Sequence, residues 1–328
     1  MTNIIKDFKL FIGQHCETTA TGSLLNQIGI KLSEPMLFGL GEGLGFIFWN
    51  MKIMDFPFIG GRIKPDVLTQ NIARNLNLKI EVKETSSVKK AWENIKNNID
   101  NNLATALKLD CYYLDYFTNK IHFAGHYVAM YGYDNKFAYL IDTKQQGSKV
   151  KTSLKNLELA RNEKGPMSSK NLSYTIQDLK KGYDLKKAII IAIKNNAKDY
   201  LNPPIKNIGY KGILKTSEEI KRWFKNTKDI EGDFNTTAML MEKAGTGGAL
   251  FRNLYRDFLK ESYDLLKIEK INEAHKMFTE IATLWTSVSS LFEKTAKTKN
   301  IKYINQASEI LIDLAKKEKI AMELLLKI

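Results

Sequence analysis

Cys16 lies at the predicted start of a helix, a position that can make a thiol reactive. Cys16 follows an apolar segment that contains Phe8, Leu10, Phe11 and Ile12, and it precedes residues 18–30, whose apolar side chains have mostly helical spacing. Backbone N–H groups and the positive end of the dipole stabilise a thiolate at a helix start. The position therefore predicts that Cys16 is a nucleophile.

A thiol nucleophile needs a base that takes its proton, and usually a third group that orients the base. The chain has four histidines. His275 lies within a predicted helix and is expected to be structural. His15 adjoins Cys16, but neighbouring side chains diverge from a helix start, so we expect it to line a pocket.

The two remaining histidines share a strand-like run over residues 121–131. His122 and His126 have the same parity along a strand, so periodicity alone does not distinguish them. His126 follows Gly125 and heads the apolar residues 128–131, which favours a position at a strand entrance facing a cleft. His126 is the predicted base.

Asp142 directly follows the apolar segment 137–141, which is predicted to pair with the His126 strand through a hairpin at Asp134 and Asn135. Such a hairpin can bring a carboxylate at the end of one strand beside an imidazole at the start of the other. The predicted triad is therefore Cys16, His126 and Asp142. A zinc site made of Cys16, His122 and His126 is an alternative without a recognisable fourth ligand, so no metal is predicted.

The surrounding elements predict an α+β fold. Helical patterns near residues 18–30, 65–76 and 88–99 are followed by strand-like runs at 104–109, 121–131, 137–141 and 188–193. This order favours an antiparallel sheet. Asn202-Pro203-Pro204 marks a boundary, and long amphipathic helices are predicted beyond it. The expected division is a catalytic domain over 1–202 and an all-α domain over 203–328.

Composition restricts the class of protein further. The 328 residues carry a net charge of +14, which favours an acidic partner, although a genome biased toward lysine would give the same charge. The lysines are scattered, which disfavours nucleic acid. Two cysteines, one of them the presumed core residue Cys111, exclude a disulfide scaffold. With no signal peptide or membrane-length apolar run, a cytoplasmic protein is expected.

Several motifs resemble those of a known family, that of butirosin biosynthesis protein H. The resemblance is carried by His15-Cys16-Glu17, by LSEPMLFGLGEGLGF at 32–46, by Gly60-Gly61-Arg62, and by Gly125-His126-Tyr127-Val128 with the strand before Asp142. The segment GTGGALFRNLYRDFL at 245–259 resembles the helical domain that accompanies it. The resemblance covers nearly the whole chain.

The resemblance implies a papain-like domain that performs acyl transfer instead of proteolysis. Papain-type proteases place an oxyanion-hole glutamine several residues before the cysteine, and Leu10 occupies that position here. Gln14 or the Cys16 backbone N–H is the expected substitute. The other residues predicted to line the pocket, all from the matching motifs, are His15, Glu42, Gly43 and Arg62.

The family resemblance also implies a donor and an acceptor. The donor would be an acidic acyl or peptidyl carrier protein with a phosphopantetheine arm, and the acceptor a small primary amine such as an aminoglycoside, diamine or polyamine. Arg252 and Arg256, four residues apart on a predicted helix, are expected to face an anionic group of the donor. No bound cofactor is predicted. A cysteine peptidase or amidase and a non-catalytic carrier-binding scaffold remain alternatives.

Overall fold

The computed structural model describes residues 2–52, 54–165, 168–178 and 182–328. The predicted α+β class is confirmed. Backbone contacts divide the chain into two compact units, each of which is described by itself. Unit 1 comprises Met1–Leu37 and Pro65–Tyr183, and unit 2 comprises Phe38–Lys64 and Asp184–Ile328.

Strands and helices are numbered here along the whole chain. The strands are β1 Asn3–Ile4, β2 Leu44–Trp49, β3 Phe58–Arg62, β4 Lys79–Lys83, β5 Thr105–Leu109, β6 His126–Tyr133, β7 Phe137–Ile141, β8 Lys149–Ser153 and β9 Ser173–Gln177. The helices are α1 Cys16–Gln27, α2 Glu34–Leu40, α3 Val67–Asn75, α4 Val88–Asp100, α5 Leu154–Asn162, α6 Leu185–Leu201, α7 Gly209–Asn226, α8 Ile230–Lys243, α9 Arg252–Leu266, α10 Glu269–Thr298 and α11 Ile301–Leu325.

Unit 1 is built on a seven-stranded antiparallel sheet. Its strand order is β4-β9-β5-β6-β7-β8, and β1 pairs with the far end of β6. Central strand β6 is almost wholly buried. Asp134 stabilises the short turn between β6 and β7, because its carboxylate accepts from the backbone N–H groups of Lys136 and Phe137 at 2.7 Å.

Helix α1 packs against β6 and is buried on nearly every side. This burial explains why its sequence shows little amphipathic contrast. Two of its buried hydroxyls donate to carbonyls one turn earlier: Thr19 to the His15 carbonyl at 2.7 Å and Ser23 to the Thr19 carbonyl at 2.9 Å. Gly22 is required for close packing, since a Cβ there would lie 2.6 Å from the Phe11 ring.

Unit 2 combines the β2–β3 hairpin with helices α6 to α11. Its core is aromatic: the Phe46 ring of β2 stacks on Trp285 of α10 with centroids 5.6 Å apart. Gly39 lies against Phe258 so closely that a Cβ would overlap the ring, at 2.1 Å. Gly39, the first of the alternating glycines at 39–45, therefore allows close packing in this unit.

Three details of the predicted fold are wrong. Residues 188–193 form part of helix α6, because the surrounding residues give a 17-residue helix capped by Asp184 instead of an isolated apolar strand. The strand predicted over 121–131 begins at His126. The capping-box pattern Thr216-Ser217-Glu218-Glu219 predicts a helix start at Thr216, but Thr216 lies inside α7, where its hydroxyl donates to the Gly212 carbonyl at 2.8 Å.

The compact units also differ from the division expected after residue 202. Asn202-Pro203-Pro204 connects α6 to α7 within unit 2, and the β2–β3 hairpin belongs to the same unit. Residues 203–328 themselves contain only helices among the elements described. Across the described ranges, no helix combines the length and the apolar character that crossing a bilayer requires.

Candidate active site

The sulfur of Cys16 is presented by the first residue of α1. Cys16 is half-buried, whereas the residues that follow it in the first turn are fully buried. The first turn of a helix directs its backbone N–H groups toward the space in front of the helix. Cys16 therefore combines a partly accessible thiol with a backbone environment that favours negative charge.

The Glu34 carboxylate holds the segment that leads into α1. Glu34 accepts from the backbone N–H groups of Gln14 at 2.9 Å and His15 at 2.8 Å, and from the Thr18 hydroxyl at 2.8 Å. Burial raises the pKa of Glu34, although these three donors oppose the shift. A Cβ on Gly13 would lie 2.8 Å from the Glu34 carboxylate, so glycine makes this contact possible.

The sheet register brings the imidazole and the carboxylate together. His126 begins β6 opposite Leu109 of β5, while Ile141 of β7 lies opposite Ala129 of β6. Continuing that register by one residue places Asp142 on the same face as His126 and within diagonal reach. The His126 Nε2 atom lies 2.8 Å from Oδ2 of Asp142.

The Cys16 thiol lies close enough to the His126 ring to interact with it electrostatically. Because Nε2 contacts Asp142, Nδ1 is the ring nitrogen that remains available to the thiol. Burial lowers the pKa of His126, but the charge and hydrogen bond of Asp142, aided by Cys16, raise it well above the ordinary value. The structure thus brings all three residues of the predicted triad together, with His126 between Asp142 and Cys16.

Asp142 has two further partners that sequence reasoning missed. Its Oδ1 atom accepts from the Thr143 backbone N–H at 2.6 Å, and Oδ2 accepts from the Tyr116 hydroxyl at 2.7 Å. Phe117 contacts the His126 ring edge-on with centroids 5.3 Å apart. The signal available in the sequence was the density of aromatic residues between 112 and 123, immediately before the histidine strand.

The second cysteine lies close to the same groups. Cys111 is 7% exposed, and its sulfur lies 3.4 Å from the Ile121 carbonyl. Burial raises the pKa of Cys111, while the charge of His126 opposes the shift. A buried, protonated thiol is unreactive, as expected of a core residue.

His122 lies outside the triad. Its Nδ1 atom pairs with Oδ2 of Asp110 at 2.9 Å, and its ring stacks on Tyr112 with centroids 4.0 Å apart. Asp110, His122 and Glu163 bring their ligand-type atoms within 4.8 Å of one another. The zinc alternative that grouped His122 with Cys16 and His126 is therefore wrong in its geometry, since His122 is oriented toward a different set of residues.

The two pocket residues predicted beside Cys16 have different surroundings. The side chain of Gln14 is exposed, while its backbone N–H is held by Glu34. His15 is 3% exposed, and its Nδ1 atom lies 3.4 Å from the Thr18 hydroxyl. Both remain predictions as pocket or oxyanion residues.

The other three predicted pocket residues belong to unit 2. Glu42 is buried, has a φ of +55°, and accepts from the Asn195 side chain at 2.9 Å. The glycine at 43 allows close packing, since its Cβ would lie 2.7 Å from the Phe38 carbonyl oxygen. Arg62 Nη1 donates to the Ile63 carbonyl at 3.4 Å. Their predicted role in the pocket stays a prediction.

Arg252 does not fit the predicted contact with a carrier protein. Its guanidinium is fully buried and pairs with Glu318 through Nε and Nη2, each at 2.9 Å. The Nη1 atom donates to the carbonyls of Gly61 at 3.2 Å and Leu250 at 2.8 Å. A Cβ on Gly61 would lie 2.3 Å from the Leu250 oxygen, so this glycine serves the packing around the arginine.

Arg256, one turn later on α9, is partly exposed. It pairs with Asp257 at 2.8 Å and donates to the Asn253 side chain at 2.9 Å. The four-residue spacing therefore does not place both arginines toward a common ligand: one is enclosed in the core and the other lies at the surface. Arg256 alone remains a candidate for contact with an anionic partner.

The fold and site define a class: an α+β protein whose buried helix presents a cysteine to a histidine and an aspartate. The family model described as "Butirosin biosynthesis protein H, N-terminal" matches residues 15–143, and that described as "Domain of unknown function (DUF4872)" matches residues 155–325. The chain therefore belongs to the butirosin biosynthesis protein H-like family, as the sequence motifs predicted. Among curated proteins, none matches it. The match to the butirosin biosynthesis protein H model begins one residue before Cys16 and ends one residue after Asp142.

Proposed function

We propose that this protein is an amide-forming acyltransferase of natural-product biosynthesis, with Cys16 as the nucleophile. The observation that carries the proposal is the placement of Cys16 beside His126 together with the contact between His126 and Asp142 at 2.8 Å. The family description supports a biosynthetic role. The papain-like assignment of unit 1 is part of the proposal, supported by a helix that starts at the nucleophile and packs on an antiparallel sheet.

In the first half-reaction the Cys16 thiolate attacks the carbonyl carbon of a thioester on a carrier protein. The carbon–sulfur bond of the thioester then breaks, and the leaving phosphopantetheine thiolate takes the proton held on His126. Asp142 stabilises the imidazolium that exists before this transfer. The product of the step is an acyl group on Cys16 and a free carrier thiol.

In the second half-reaction a neutral primary amine attacks the acyl carbon. His126 accepts the proton lost by the amine, the bond from carbon to the Cys16 sulfur breaks, and the amide leaves. No water is consumed, so the enzyme must disfavour hydrolysis of the acyl intermediate. The net charge of +14 is consistent with an acidic carrier protein as donor.

Mass spectrometry tests the first half-reaction directly. Incubation with an acyl-loaded carrier protein is expected to add the mass of the acyl group to the peptide that contains Cys16. The adduct should be absent in Cys16→Ala and present in Cys111→Ala, the matched control for the second thiol. A wild-type protein that never acquires the adduct would contradict an acyl-enzyme mechanism.

The fate of the adduct separates the transferase from the hydrolase alternative. With a diamine, polyamine or aminoglycoside present, the proposal predicts an amide as the main product. Free acid as the sole product in the presence of amine would identify a hydrolase with the same triad. Full product formation by Cys16→Ala would exclude Cys16 as the nucleophile, and binding of the carrier without any adduct or product in the wild-type protein would identify a non-catalytic scaffold.

A further inference from the structure

Tyr116 is half-buried beside the triad, in a connection between β5 and β6 that the sequence motifs did not single out. Its hydroxyl donates to Oδ2 of Asp142 at 2.7 Å. The same oxygen atom lies 2.8 Å from Nε2 of His126. One carboxylate oxygen is thus shared between a phenol and an imidazole.

The Tyr116 hydroxyl stays protonated and therefore always donates its hydrogen bond to Asp142. Burial and the charge of Asp142 raise the pKa of Tyr116 well above its ordinary value. The hydroxyl therefore keeps its proton over the range in which a thiol and an imidazole exchange theirs. A donor that never titrates supplies a constant stabilisation of the carboxylate.

We infer that Tyr116 is a positioning residue that acts through Asp142: it disperses the charge of the carboxylate and thereby limits how tightly that carboxylate holds the proton of His126. The inference rests on the proposed function of the triad. It extends that triad by a fourth member, in the order Tyr116, Asp142, His126 and Cys16.

The direction of the effect follows from competition for one oxygen atom. When the phenol is removed, Asp142 retains the Thr143 backbone N–H, at 2.6 Å, and the imidazole. A buried carboxylate with fewer donors interacts more strongly with those that remain. The imidazolium should then lose its proton at a higher pH and become a weaker acid toward a leaving thiol.

The other ionisable groups near this chain are few and identifiable. Cys111, after β5, interacts electrostatically with Tyr116, Asp142 and His126, and it is held in the protonated form by burial. Asp110 lies beside Cys111 and pairs with His122 at 2.9 Å. Cys16 on α1 faces His126. None of these groups hydrogen-bonds Tyr116 among the described contacts, so Tyr116→Phe alters the contact with Asp142 selectively.

The test measures alkylation of Cys16 and needs no knowledge of the acyl donor. Iodoacetate is an anion, so its reaction with the thiolate is favoured while His126 is charged and slows when the imidazolium deprotonates. The rate of labelling at the Cys16 peptide, followed by mass spectrometry from pH 4 to 10, should give a bell whose basic limb reports His126. Peptide analysis separates this label from any on Cys111.

Tyr116→Phe is expected to move the basic limb to higher pH by about one unit. Tyr113→Phe is the matched control, because it removes a phenol of the same loop that donates to Glu163 at 2.7 Å and does not contact Asp142. The control should keep the wild-type profile. A basic limb that stays in place, or moves to lower pH, in a folded Tyr116→Phe protein would overturn the inference.

A second variant keeps the test decisive if Tyr116→Phe unfolds. Site-specific replacement of Tyr116 by 3-fluorotyrosine nearly preserves size and makes the phenol a stronger donor, so the basic limb should move to lower pH. An unchanged limb would contradict the inference. Failure of the proposed function has a different signature, namely no bell-shaped labelling of Cys16 and no acyl adduct in the wild-type protein.

Discussion

Two buried clusters of charged groups, one in each compact unit, are built from similar chemical parts and serve different ends. In unit 1 the carboxylate of Asp142 accepts from a phenol and from His126. In unit 2 the carboxylate of Glu318 accepts from the Tyr200 phenol and from the guanidinium of Arg252. Each cluster therefore pairs one acid with one basic group and one tyrosine.

The difference lies in what the basic group can do. Arg252 keeps its charge, all three of its nitrogens donate to groups of unit 2, and its guanidinium also lies over the Trp285 ring at 4.9 Å. His126 can gain or lose a proton, and it lies beside a half-buried thiol. A buried ion pair whose partners are all internal contributes to structure, whereas one that ends at an accessible nucleophile can perform chemistry.

Removal of the proposed nucleophile, Cys16, should give the largest contrast between the clusters. Cys16→Ala should reduce product formation by about 10³-fold or more, because residues of a catalytic group act as a unit. Its effect on the free energy of unfolding should be small by comparison, since the side chain is half-buried. Measured turnover together with urea denaturation checks both parts, and a variant that retains turnover would end the comparison.

The acid of unit 1 should matter for chemistry more than for folding. Asp142→Asn preserves size but removes the charge that stabilises the imidazolium, so the rate of acyl transfer should fall by about 10²-fold or more. Iodoacetate labelling of Cys16 should show the basic limb shifted to lower pH. If labelling and turnover matched those of the wild-type protein, Asp142 would be no more than a strand-end residue.

The acid of unit 2 should show the reverse pattern. Glu318→Ala leaves the buried Arg252 charge without its partner, and loss of one member of a buried ion pair costs about 3–5 kcal/mol. Urea denaturation should report this loss. In whatever fraction remains folded, the pH dependence of Cys16 labelling should be unchanged; a displaced profile would mean that the clusters are coupled.

The free energy of unfolding should depend on pH through His126. Its pKa in the folded protein is raised above the ordinary value of 6.5. The stabilisation is therefore complete below about pH 6.5 and is lost as the pH rises through the folded-state pKa, with a slope of at most about 1.4 kcal/mol per pH unit. Urea titrations between pH 6 and 10 measure this slope. Asp142→Asn should flatten it, and an equally steep slope in that variant would assign the effect to another group.

The smallest effect is expected at the surface arginine. Arg256 forms an exposed ion pair with Asp257, and such pairs contribute about 0–1 kcal/mol. Arg256→Ala should therefore leave the unfolding free energy nearly unchanged. If Arg256 contacts the donor, the variant should raise the KM for acyl-loaded carrier and leave labelling of Cys16 by iodoacetate unaffected. An unchanged KM would remove this residue from the donor site.

Much of the candidate site was predictable because it depends on local patterns. An apolar segment followed by a cysteine and a helix-forming run predicts α1, and a short turn between two apolar strands predicts the β6–β7 hairpin. In an antiparallel hairpin the register is set by the turn and by the buried face. The hairpin thus predicted that Asp142 lies near the start of the His126 strand. A register shift between Met130 and Gly132, which the sequence pattern did not predict, moves Asp142 from a position opposite Ala129 to the face that carries His126.

Other features depend on contacts between distant parts of the chain, and patterns did not predict them. The apolar run 188–193 reads equally as strand or helix, and the residues around it decided for α6. The partnership of Tyr116 with Asp142 follows from the path of a loop, which local propensity does not specify. The Arg252 and Arg256 spacing predicted a shared ligand, yet burial separated them.

The sequence by itself determined which residues are candidates for the triad and which elements carry them, because helix starts, strand alternation and turns are local properties of the chain. Only the tertiary structure decided which charges are enclosed and which group each one contacts. Packing places Glu34 beneath the start of α1 and Glu318 against Arg252. Burial is set by contacts over long sequence separations, and burial decides whether a charged residue supports the fold or the chemistry.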